Sequence, residues 1–108
     1  MALSNGVQGS RYDAPTITWL VDGVAKVLTD SVITAVIEPC NGDDARNSDG
    51  AFTLVDDGDD GQFTWQFGDN DIADAGDFYV QFIATYDGIT EVSRSSKMLW
   101  TVEASIIV

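Results

Sequence analysis

Eleven aspartates fall between Asp43 and Asp77 (43, 44, 49, 56, 57, 59, 60, 69, 71, 74 and 77), with one basic residue, Arg46, among them, a net charge of −10 over 35 residues. Carboxylates at this density have two chemistries open to them. A hard cation such as Ca²⁺ takes several carboxylate oxygens from a flexible loop, and two acids held at a fixed separation across a cleft hydrolyse a glycosidic bond. The EF-hand spacing fails: counting back from Gly61, Gly58 stands at the middle ligand, and Phe67 stands where the closing glutamate belongs. The loop carrying Asp69, Asp71 and Asp74 is the better candidate for a calcium site, with Asp56 to Asp60 beside it. The competing explanation is turn chemistry, because Asp and Gly are what β-turns select. No nucleophile–base pair can be named, and acids on turn tips make little cleft, so the chain reads as a non-enzyme.

Other chemistries are excluded by composition. The chain has 108 residues, no histidine and one cysteine, Cys40. That leaves no Ser-His-Asp triad, no Cys-His dyad, no His-ligated metal, no internal disulfide and no thiolate zinc cage. Cys40 has no basic neighbour to lower its pKa and reads as an inert thiol. Eighteen acidic residues against five basic ones give a net charge of −13. Such a chain is expected to bind neither nucleic acid, whose phosphates need Lys and Arg, nor an anionic membrane surface. No signal-peptide-length or transmembrane run is present, so a soluble protein made in a cytoplasm is expected.

The elements that must position these side chains are strands. β-branched and aromatic residues are punctuated by Gly-Asp turns, and helix-period runs are absent. Residues 1–13 read as an extended arm. Thr16 to Val21 reads as the first strand, Asp22-Gly23 as a type I′ hairpin turn, and Val24 to Leu28 as the return. Ser31 to Glu38 is apolar at nearly every position and reads as a strand covered on both sides, ended by Pro39. A polar loop (40–50), a strand at Ala51 to Val55 and the acidic turn Asp56 to Gly61 follow. Phe63, Trp65 and Phe67 then alternate with Gln62, Thr64 and Gln66, which puts the aromatics in a core together with Trp19, Phe78 and Phe82. Gly68 to Asp77 reads as a loop. The closing strands start at Phe78, at Ile89 after a second hairpin turn (Asp87-Gly88), and at Met98. About seven or eight strands in roughly 90 residues match the size of an immunoglobulin-like antiparallel β-sandwich.

Asp74-Ala75-Gly76-Asp77-Phe78-Tyr79-Val80 resembles the D-x-G-x-Y-x-C run that opens strand F of immunoglobulin domains. Phe78 replaces the tyrosine, so its hydroxyl bond is lost, and Val80 replaces the cysteine, so packing takes the place of the bridge. A wider resemblance runs from Trp19 to Val102. It rests on Asp22-Gly23, Val27-Leu28-Thr29, the apolar strand 31–38, Gly61 to Phe67, Asp71, Ala75 to Phe78, and Gln81-Phe82 before Asp87-Gly88. This order is similar to the small Ig-like domain that begins tailed-phage baseplate upper proteins, and to related modules of phage tails and heads. Asp30-Ser31 departs from the family, which often has glycine after its Leu-Thr pair. The resemblance implies a bacteriophage virion structural protein, in the tail or baseplate, the neck, or as a decoration of the capsid. Such a protein assembles in the host cytoplasm and packs against other virion proteins and copies of itself. The alternative of a different class is a calcium- or carbohydrate-dependent surface-recognition module.

Partner-contact candidates are Tyr79 and Ile83, opposite the Phe78–Phe82 face, with Trp100 and the apolar tail Ile106, Ile107 and Val108 (within a 104–108 segment after a domain at 14–103). Equally, these residues could cover an edge within the monomer. The concentration of charge in 43–77 predicts a polarised domain, with an acidic end of loops and a less charged end carrying the arm.

Overall fold

A computed structural model describes residues 6–9, 14–86 and 92–104. Among these the chain is all-β, with strands β1 (Gly6–Val7), β2 (Thr16–Thr18), β3 (Leu20–Val21), β4 (Val24–Ala25), β5 (Ser31–Pro39), β6 (Arg46–Asn47), β7 (Ala51–Leu54), β8 (Gln62–Gln66), β9 (Gly76–Tyr86), β10 (Val92–Arg94) and β11 (Met98–Glu103), and one 3-10 turn at Asp56–Gly58. The large sheet has the order β1-β11-β9-β5-β6, with β10 also beside β9; the smaller sheet is β2-β8-β7, and β3-β4 is a separate hairpin. All pairings are antiparallel except β1 with β11, which is parallel.

The two sheets meet through the aromatic alternation. Phe63 and Trp65 of β8 face Phe82 of β9 edge-on, at centroid separations of 5.1 Å and 5.7 Å, and Trp65 lies 4.8 Å from Trp100 of β11. Trp19, Phe63, Trp65, Phe67, Phe78 and Phe82 are all buried, joined by Leu28, Ile37, Ile72, Val80 and Val102. Each large apolar side chain taken from water stabilises the fold by about 1.5–3 kcal/mol, and edge-to-face ring pairs add about 0.5–1.5 kcal/mol. This cluster is therefore the main source of stability.

Several expectations are corrected. Residues 1–13 are not wholly an arm: Gly6 and Val7 pair with Val102 and Glu103. Gly6 fits there because a Cβ would meet the Trp100 ring at 3.0 Å. The run 16–21 is broken at Trp19, whose N–H donates to the Gly61 carbonyl and whose carbonyl accepts from the Lys26 N–H. β5 is covered on one face only, since its side chains alternate buried and exposed and Val32 is 64% exposed. A run of apolar residues cannot by itself distinguish a two-sided strand from one whose outer face is merely aliphatic. Arg46–Asn47 pairs with Val36 and Ile37 inside the supposed loop. Asp22 (φ 52°) and Gly23 (φ 80°) do form the left-handed pair that a type I′ turn needs. Asp87-Gly88 lies outside the described residues.

The expected polarity also fails. β8 runs across the molecule, so the acidic turn before it and the acidic loop after it lie at opposite ends. At one end the Asp56–Gly61 turn packs under the β3–β4 hairpin: Leu28 N–H donates to the Gly58 carbonyl, and Thr29 Oγ1 donates to Asp59 at 2.8 Å. At the other end loops 40–50 and 68–75 meet, and Gln8 and Gly9 bond to Ala73 and Ile72 there. The chain's amino-terminal strand thus approaches an acidic end, not a neutral one.

Candidate interaction surface

Along β9, Asp77, Tyr79, Gln81, Ile83 and Thr85 point away from the core, because Phe78, Val80, Phe82 and Ala84 point into it. Register places Leu99 and Glu38 beside Tyr79, Thr34 and Arg94 beside Ile83, and Val32 and Val92 beside Thr85. The outer face of the large sheet is therefore a continuous surface of aliphatic, threonine and glutamine side chains around one tyrosine. Four large apolar residues on it are open to solvent: Val32, Tyr79 (42%), Val92 (47%) and Leu99 (58%). It also carries charge: Arg94 is exposed beside Ile83, and Glu38 and Asp77 stand toward its β5/β9 end. Lys97 reaches across β9 to Glu38 at 3.5 Å, and Asp77 accepts from Thr101 Oγ1 at 2.8 Å.

The partner-contact candidates separate here. Tyr79 is exposed and Ile83 partly so, on this face. Trp100 is not on a surface: it is 1% exposed, packed against Trp65, Phe67 and Phe78. Its place one step from Leu99 puts it on the inner side of β11. Ile106, Ile107 and Val108 lie outside the described residues.

The metal candidates also separate. Asp71 is fully buried, and both its oxygens receive donors. Oδ1 accepts from Arg46 Nη1 (3.3 Å) and the Asp49 N–H (3.4 Å); Oδ2 accepts from Ser48 Oγ (2.6 Å) and the Gly68 N–H (2.9 Å). Ser48 Oγ in turn accepts from the Gly50 N–H and from Trp65 Nε1. Asp71 is thus a knot that ties the β6–β7 connection to the loop after β8. A carboxylate so surrounded by N–H and O–H donors has no lone pair directed at a cation. Asp69 and Asp74 are exposed, and among the described residues no group of three or more His, Cys, Asp or Glu side chains is placed to hold a metal. Next to the knot, burial pushes the Asp49 carboxyl up. The Asn70 backbone N–H, helped by the Asn70 side-chain amide at 3.1 Å, outweighs it and holds the group below the usual carboxylate range.

No family model, curated protein or solved structure matches this chain. The surface must therefore be interpreted from its own geometry.

Two further features adjoin it. At the end where β5 finishes and β9 begins, an open groove of about 660 Å³ is lined by Asp43, Asp44, Asp74, Asp77, Arg46 and Phe78 among others. Asp77 belongs to both groove and face. At the opposite end the β3–β4 hairpin and the segment after it expose Leu20, Val21, Val24 and Val27. Sequence reading missed this second apolar group because Val24 to Leu28 was expected to return into the sheet. β4 instead stops at Ala25, and of that run Leu28 alone is buried.

Proposed function

We propose that this protein is a non-enzymatic structural component of a tailed-phage virion, built as an immunoglobulin-like sandwich and acting by protein–protein packing. The observation that carries the packing role is the outer face of the large sheet, where Val32 and Val92 stand exposed at one end and Tyr79 and Leu99 at the other, joined by the half-buried Val36 and Ile83. Apolar side chains scattered singly over a surface need no explanation, but a contiguous group rimmed by polar residues marks an interaction site. The strand order supports the immunoglobulin-like half of the reading: β11-β9-β5-β6 corresponds to G-F-C-C′, and β2-β8-β7 to B-E-D. The Asp74 to Val80 run then opens the strand that corresponds to F, which agrees with the sequence resemblance. The virion assignment rests on that resemblance.

The test is co-sedimentation of the purified chain with virions, and with isolated heads and tails, of the phage that encodes it. Saturable sedimentation with one of these parts is expected. Absence of sedimentation with every part overturns the assignment.

A further inference from the structure

We propose that the outer face of the large sheet and the acidic groove at its β5/β9 end form one docking surface for a partner protein that presents an aliphatic ridge with a lysine or arginine at one end of it. This rests on the packing reading above and specifies its chemistry.

The ridge is fixed by the face. From Thr85, flanked by Val32 and Val92, to Tyr79, flanked by Leu99, β9 advances six residues, about 20 Å of strand. Within that length Glu38 is paired with Lys97, so an apolar partner surface meets no lone carboxylate there, and Arg94 of β10 stands exposed beside Ile83 at the rim of the ridge. The cation is fixed by the groove. Four carboxylates line it, those of Asp43, Asp44, Asp74 and Asp77. Its one guanidinium, Arg46, is already directed at Asp71 and at the Asn70 carbonyl (2.9 Å). The groove thus keeps a negative excess that an incoming ammonium or guanidinium would offset, and Asp77 makes it continuous with the ridge.

Charge also selects against a second copy as the occupant. Each chain carries −13, and acidic loops lie at both ends of the face: Asp43, Asp44, Asp74 and Asp77 at one, Asp30 and Asp56 to Asp60 at the other. Stacking two copies face to face in either direction sets acid against acid, whereas a basic partner is attracted from beyond contact distance.

The test is an NMR titration of the isotopically labelled full chain with a synthetic peptide of about ten residues, alternating Val and Thr, with two lysines at one end. Shifts are expected at Val36, Tyr79, Ile83 and Leu99 together with Asp74 to Asp77. Binding should weaken at least about fivefold when the lysines are replaced by glutamates, in Leu99→Ser, and in the Asp43→Asn/Asp74→Asn double variant. All three altered residues are exposed, so the variants fold. The proposal is overturned if no peptide binds, if tetralysine binds as well as the full peptide, or if Leu99→Ser binds unchanged. Sedimentation velocity showing a dimer that Leu99→Ser dissolves also overturns it, in favour of a second copy. Virion co-sedimentation keeps the two readings apart. If Leu99→Ser still sediments while the peptide fails, this surface is wrong and packing stands. If the unaltered chain does not sediment, packing itself fails.

Discussion

Asp71 shows how far a residue's role can depart from its type. In sequence it is one acid among eleven; in the fold it is the acceptor for four donors beneath Trp65. Asp71→Ala leaves the Gly68 N–H and the Ser48 hydroxyl unpaired, and it releases Arg46. A loss of about 2–4 kcal/mol in urea unfolding is expected, and adding calcium or a chelator should not change that figure. Ser95 acts in the same way on a smaller scale. Between β10 and β11 its hydroxyl accepts the buried Phe82 N–H at 2.9 Å, at the step of β9 between its pairings with those two strands. Ser95→Ala is expected to cost about 1–3 kcal/mol by the same measurement, with no change in surface. At Asp49 the folded-state pKa lies below the unfolded one. Its contribution to stability is therefore fully present above the unfolded value and is lost as pH falls through the folded one, in the acid range below about pH 4. Asn70→Ala keeps the backbone N–H that lowers the pKa most and removes only the side-chain amide, so the Asp49 carboxyl titration, read by carbon-13 NMR, should move up only slightly and the loss of stability across that window should persist.

The elements were legible where a pattern of side chains had one physical meaning. The period-two aromatics of β8 predicted both a strand and its core face, and Asp22-Gly23 predicted its own turn type. β5 was legible as a strand but not as one-sided, because Val32 and Val36 are as apolar as Ile33 and Ile37, and hydropathy carries no sign of which side a second layer will cover. The two-residue strands β1 and β6 had no signature at all: Gly6–Val7 and Arg46–Asn47 are strands only because β11 and β5 offer them a free edge. Asp69, Asp71 and Asp74 were singled out as the better candidate for a calcium site, and the described residues do not bring them together as one. Their separation into one buried acceptor and two exposed acids depends on Arg46 and Ser48, more than twenty residues away in the chain. Ile72, the buried apolar residue of that segment, was the available clue that the loop folds inward. At this scale Gly68 is the sensitive point: a Cβ there would collide with the Asp49 side chain. Gly68→Ala should lower the thermal midpoint by several degrees, about 1–3 kcal/mol, by displacing the whole 46–50 segment from the knot.

For the whole molecule, the decisive feature is that β8 separates the two acidic loop groups. Four aspartates, Asp22, Asp30, Asp56 and Asp57, adopt left-handed backbone in tight turns, so these acids are where β-turns need them and not gathered for one ligand. Between the ends, substitutions on the outer face touch no core residue. Leu99→Lys and Val32→Lys should leave unfolding free energy within about 0.5 kcal/mol of the parent while removing partner binding, which separates recognition from stability in one pair of measurements.

A body with negative charge at both tips has no electrical head or tail. Its far field draws it toward a basic surface equally well either way up, so long-range attraction sets the encounter rate but not the sense of seating. That choice is made only at contact, where one tip carries a groove of carboxylates and the other an aliphatic hairpin. A site that accepts this protein in a single orientation must distinguish those two tips by touch.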